Sequence, residues 1–124
     1  MGVEVVYKVL TASEFAVLRA GVFHGSVVDL ADGFVHLSTA AQLTGTVERH
    51  FAGQVDLTVA AFAAQRFGDA LRWEASRGGL LFPHLYAPLN LADAIAYGPL
   101  LRKTDGSVEL PRSLPPAAGT AAKE

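Results

Sequence analysis

The sequence predicts an α+β fold, and three observations carry that prediction. The order of stretches is strand, helix, strand, helix and then a run of strands, rather than the regular alternation of an α/β chain. Two capping boxes, Thr11 with Glu14 and Thr39 with Gln42, mark the starts of two helices. Residues 56–63 (DLTVAAFA) are apolar enough for a central strand buried on both faces. The 124-residue length suits one domain. With 51% hydrophobic and 18% charged residues, the chain has the balance of a folded protein rather than a disordered one. The expectation is a single compact domain over residues 1–110, with two helices packed on a mostly antiparallel β core. A Pro- and Ala-rich tail, 111–124, is expected to be mobile.

In chain order, residues 3–10 (VEVVYKVL) are rich in β-branched side chains and read as the first strand. The Thr11-capped helix would turn Phe15 and Leu18 inward and stop at Gly21. Residues 21–32 read as a connection ending in the turn signal Ala31-Asp32-Gly33. A short strand, 34–37, precedes the Thr39-capped helix. Leu43, Val47 and His50 or Phe51 recur there at helical spacing, and Gly53 ends it. After the central strand, Arg66-Phe67-Gly68-Asp69 is a turn, 71–74 a short strand and 76–79 a flexible loop. Residues 80–89 (LLFPHLYAPL) are extended, but Pro83 and Pro88 argue against a regular inner strand. Residues 94–101 form a last strand, broken by Gly98-Pro99, and 103–106 a turn.

Composition removes several function classes. The absence of cysteine excludes disulfides, thiolate zinc sites and cysteine nucleophiles. A formal net charge of −2 gives no global basic field to draw DNA or an anionic membrane. No apolar run approaches the roughly 20 residues of a membrane span. The start Met1-Gly2-Val3-Glu4 lacks the basic and apolar regions of a signal peptide, so a cytoplasmic location is expected. Neither a G-x-S-x-G elbow, a Walker loop nor a G-x-G-x-x-G turn occurs.

The residues suited to chemistry fall on two strands and the ends beside them. Side chains alternate along a strand, so Phe34, His36 and Ser38 share one face and Val35 and Leu37 the other. Phe82, His84 and Tyr86 repeat that pattern. If the like faces converge, they form a pocket with two imidazoles and apolar walls, as small-ligand sites have. Ser38-Thr39 lies where strand becomes helix, a place where unpaired N–H groups favour an anion. The hydroxyls equally suit plain helix caps. His36 also reads as a core histidine bonded to a carbonyl, and His50 as a C-terminal residue complementing the helix dipole. In Trp73–Gly79, Glu74 could orient an imidazole, bind a ribose hydroxyl or act as a base, or simply pair with Arg72 or Arg77 at the surface. Arg77, beside two glycines, suits a phosphate contact and also any solvated loop. A metal held by His36, His84 and Glu74 lacks ligand spacing to support it.

The motifs D-G-F-V-H-L-S-T-A-A-Q, R-H-F, L-R-W-E and L-F-P-H-L-Y-A-P-L, in that order, resemble the bacterial family known as domain of unknown function 952. The likeness runs from about Tyr7 to Leu101. Where the family commonly has Gly in its L-Y-G-P-L segment, this chain has Ala87. The resemblance implies a split α+β core similar to the ADP-ribosyltransferase superfamily, whose enzymes bind NAD in a cleft. V-H-L-S is also similar to a segment of RNA 2′-phosphotransferases. By that resemblance His36 takes the ligand-binding strand position, and Ser38, Thr39 and Gln42 border the cleft. Lys8 would stand where the first strand usually carries a histidine or arginine. Glu74 and His84 are the catalytic candidates, with Arg77 and Tyr86 completing the ligand-binding set. The implied partner is a small anionic or nucleotide ligand, with NAD as the implied cofactor class. A transferase, a non-catalytic sensor and a purely structural domain all remain open on these residues. No oligomeric state follows from them.

Overall fold

The computed structural model of the chain describes residues 4–110. The expected tail and residues 1–3 lie outside them, as does the side chain of Arg77. The fold is α+β, built from strands β1 (Val5–Leu10), β2 (Val22–Phe23), β3 (Val35–His36), β4 (Thr58–Ala63), β5 (Leu71–Ala75) and β6 (Leu81–Leu85). β7 (Leu89–Asn90), β8 (Ala94–Pro99), β9 (Leu101–Arg102) and β10 (Val108–Glu109) follow. The helices are α1 (Ala12–Ala20), α2 (Val27–Asp32) and α3 (Leu43–His50), with 3-10 turns between.

Two antiparallel three-stranded sheets organise the molecule, β1-β4-β8 and β3-β6-β5. An isolated bridge joins them. Tyr7 N–H donates to the Ser38 carbonyl at 2.8 Å, and Ser38 N–H returns the bond to Tyr7 at 2.9 Å. As 56–63 predicts, β4 is central and apolar on both faces. One face, with Val6, Leu10, Ala60 and Phe62, meets Val35, Leu37 and Leu85 of the second sheet together with Leu18 of α1. The opposite face, with Tyr7, Val9, Val59 and Ala61, is covered by Leu43 and Val47 of α3. Burial of these side chains, at about 1.5–3 kcal/mol each, is what holds the sheets and helices together.

Most expected elements form, and the departures have physical causes. The Thr11 box is closed in both directions: Glu14 N–H donates to Thr11 Oγ1 at 3.2 Å, and Thr11 N–H to Glu14 Oε1 at 3.0 Å. The connection predicted over 21–32 instead contains α2. Ser26 and Asp29 form a third capping box, and Gly33, at φ 88°, stops the helix. Three α-helices are therefore present among the described residues, not two. The Thr39-started helix opens as a 3-10 turn, Ala40–Gln42, and Phe51, not the exposed His50, completes its inward stripe.

The second correction concerns Pro83, which sits in β6, the middle strand of its sheet. The register places it opposite Leu37, the residue just past β3. Its carbonyl accepts from Leu37 N–H at 3.0 Å. A strand residue's N–H and C=O point the same way, so the donor that proline lacks is lost only at the end of this two-residue strand.

Candidate functional site

Alternation places His36 and His84 on the face of the second sheet opposite its core. They are direct cross-strand partners, with ring centroids 5.7 Å apart. Phe34 stacks on His84 at 4.0 Å and lies 4.6 Å from His36 and 5.4 Å from Tyr86. The predicted convergence of the two histidine-bearing strands is thus present.

Each imidazole has its own carboxylate. Asp29, 2% exposed, holds His36 Nδ1 with Oδ1 at 2.6 Å. Its Oδ2 accepts from Lys8 Nζ at 2.9 Å and from Ser26 N–H at 2.9 Å. Lys8, itself buried, also donates to the His36 carbonyl at 3.0 Å. Burial would push the Asp29 carboxyl up. The His36 hydrogen bond and the Lys8 charge outweigh it, and with the Lys8 and Ser26 hydrogen bonds hold it well below the usual carboxylate range. On the other side of the ring, His36 Nε2 lies 3.0 Å from Asp32, whose side chain is half in solvent.

His84 is buried, and its Nδ1 lies 2.8 Å from Glu74 Oε1. Tyr86 OH donates to the same oxygen at 2.8 Å. The His84 hydrogen bond, then the Tyr86 one, hold Glu74 below its ordinary value, while the bond to Glu74 raises Tyr86. Arg72 lies over the Tyr86 ring at 5.0 Å.

A cavity of about 170 Å³ opens beside His36, walled by Lys8, Ser26, Asp29, Ser38, Thr46 and His50 among others. Ser38 Oγ and Thr46 Oγ1 are 2.7 Å apart on its wall. A smaller hollow, about 30 Å³, is lined by His36, Ser38, Thr46, His50, Ser76 and His84 among others. His36 and Ser38 therefore stand at both spaces and His84 at the smaller one. Neither Thr39 nor Gln42 lines either hollow. Gln42 is a structural tie, accepting from Thr39 N–H at 3.0 Å and donating to the Leu81 carbonyl at 2.8 Å. The side chain of Arg77 lies outside the described residues. Among the described residues no three His, Cys, Asp or Glu side chains gather to hold a metal, and no helix is long and apolar enough to cross a membrane.

Sequence reasoning missed Asp29 and Asp32 because both lie on α2. The signal that could have found them is Ser26-x-x-Asp29, the same box pattern that marks the other helices. His50, read as a dipole complement, faces the cavity with its ring 6.3 Å from His36.

The family model described as "Protein of unknown function (DUF952)" matches residues 9–97. The chain belongs to the DUF952 family. The crystal structure of protein CC0527 from Caulobacter crescentus is 43% identical to this DUF952 chain, with a TM-score of 0.78, covering 85% of this chain and 93% of that one. The solution structure of the same Caulobacter protein is 44% identical with a TM-score of 0.73, over 83% and 90% of the two chains. No curated protein matches.

Proposed function

We propose that this DUF952 chain binds a small nucleotide-like anion, of the NAD or ADP-ribose class, in the cavity beside His36. The observation that carries the reading is the His36 cluster itself. A histidine held by a buried aspartate, with Lys8 behind it, faces a cavity whose wall also carries the hydrogen-bonded pair Ser38 and Thr46. The division of the core into two three-stranded sheets supports an ADP-ribosyltransferase-like reading of the fold. The cavity, at about 170 Å³, is smaller than the roughly 300–1,000 Å³ of typical small-molecule sites. One compact moiety of the ligand enters, and the remainder lies over His50 and Gln54 toward solvent.

As a transferase, the chain would use Glu74 and His84 for proton transfer. A sensor without turnover is the second reading. The position of Glu74 favours it, since that carboxylate lines neither hollow. Amide chemical shifts titrated with NAD, ADP-ribose and nucleoside phosphates test the binding. Saturable shifts at Lys8, Ser38 and Thr46 are expected, and folded His36→Ala is expected to lose them. Intact affinity in that variant would overturn the reading.

A further inference from the structure

The two carboxylate-held imidazoles differ in how their ring nitrogens are engaged. His36 has a carboxylate oxygen on each ring nitrogen, Asp29 at Nδ1 and Asp32 at Nε2. Two such bonds at once require a proton on both nitrogens. His84 is held at Nδ1 by Glu74; with Nδ1–H donating to that carboxylate, the neutral form of the ring carries its lone pair on Nε2. Two histidines with different carboxylate partners at one hollow can divide the acid and base roles between them. The hollow they share, about 30 Å³, has room for a water. It adjoins the larger cavity through the residues common to both, His36, Ser38, Thr46 and His50.

We infer that His84 and His36 act as general base and general acid in hydrolysing a phosphate ester of the nucleotide-like ligand, with the attacking water seated in the hollow between them. This rests on the binding reading above. The water oxygen bonds to phosphorus as its proton passes to His84 Nε2. The ester P–O bond breaks, its electron pair stays on the ribose oxygen, and His36 Nε2 delivers a proton there. One water is consumed, an alcohol and a P–OH group result, and solvent restores both rings. Asp32, half in solvent, yields Nε2 to the leaving oxygen. That leaves one net positive charge among Lys8, protonated His36 and Asp29 to meet the phosphate. Glu74 and Asp32 are positioning residues.

The test uses the full chain with adenosine 2′,3′-cyclic phosphate, a nucleotide whose ribose carries a phosphate ester, scored by phosphorus NMR. Cleavage with a bell-shaped pH dependence is expected, and His84→Gln is expected to lose about 100-fold or more. His84 is buried, so two partly exposed sites give the finer readout. The groups around His36 are Asp29, Asp32, Lys8, His50 and His84; around His84 they are Glu74 and His36, with Tyr86 on the same Glu74 oxygen and Arg72 on the facing strand. Removing a neighbouring carboxylate lowers an imidazole's pKa. Glu74→Gln should therefore move the acidic limb of the profile to lower pH, and Asp32→Asn the basic limb to lower pH. Limbs that stay in place overturn the assignment. So does binding of the probe without cleavage, which leaves the binding reading standing. Absence of amide shifts with both this probe and ADP-ribose overturns the two together.

Discussion

Asp29 does the work of three residues at the scale of a single side chain. It neutralises Lys8, fixes the His36 ring and closes the start of its own helix with Ser26. Replacing one partner of a buried pair strands the other's charge, at about 3–5 kcal/mol. Asp29→Asn is expected to lose stability of that size in urea unfolding, with Lys8 as the stranded group. The pH sign follows from the depressed carboxyl. A group with a lowered folded pKa stabilises above its unfolded value, near 3.9, and loses that contribution as pH falls toward the folded one. Wild-type stability should therefore fall more steeply below about pH 4 than that of Asp29→Asn. His36 and His84 were legible because strand alternation alone assigns their faces. The tie from Asp29 to His36 and Lys8 was not, since those partners stand 7 and 21 residues away and no local rule links them; only its box with Ser26 is local.

Among the elements, the lesson lies in α2. It has only six residues, and Val27 and Leu30 face solvent at 84% and 64% exposure. A helix whose apolar side chains point outward and whose buried member is an aspartate leaves no hydrophobic stripe to detect. Its cap was the legible part. Ser26→Ala removes the oxygen that accepts from Asp29 N–H at 3.1 Å and is expected to cost about 1 kcal/mol, read as a lower urea midpoint with an unchanged slope. Pro83 misled in the other direction. Proline in a middle strand is disfavoured because it removes a ladder donor, yet β3 is so short that little ladder is left to lose. The extent of a partner strand is a tertiary fact that the segment 80–89 does not contain.

For the whole molecule, the α+β class and the central place of β4 were readable from element order and apolar run. The pairing of strands distant in sequence was not. Leu85 lies in the core between the sheets, fully buried. Leu85→Ala is expected to cost about 2–5 kcal/mol and to lower both sheets' stability in one transition. Fluorescence of the single tryptophan, Trp73 on β5, and far-ultraviolet circular dichroism should therefore move together. Separate midpoints would show that the sheets melt independently.

The Tyr7–Ser38 bridge gives Ser38 two employments. Its backbone binds one leaf of the molecule to the other like the spine of a book, while its side chain, bonded to Thr46, lines the cavity. Parting the leaves and deforming the site are then one movement, so an occupant gripped by that side chain would also clasp the covers. Hydrogen exchange at the Tyr7 and Ser38 amides should slow when the site is filled, and an unaltered rate would mean that spine and site move apart from one another.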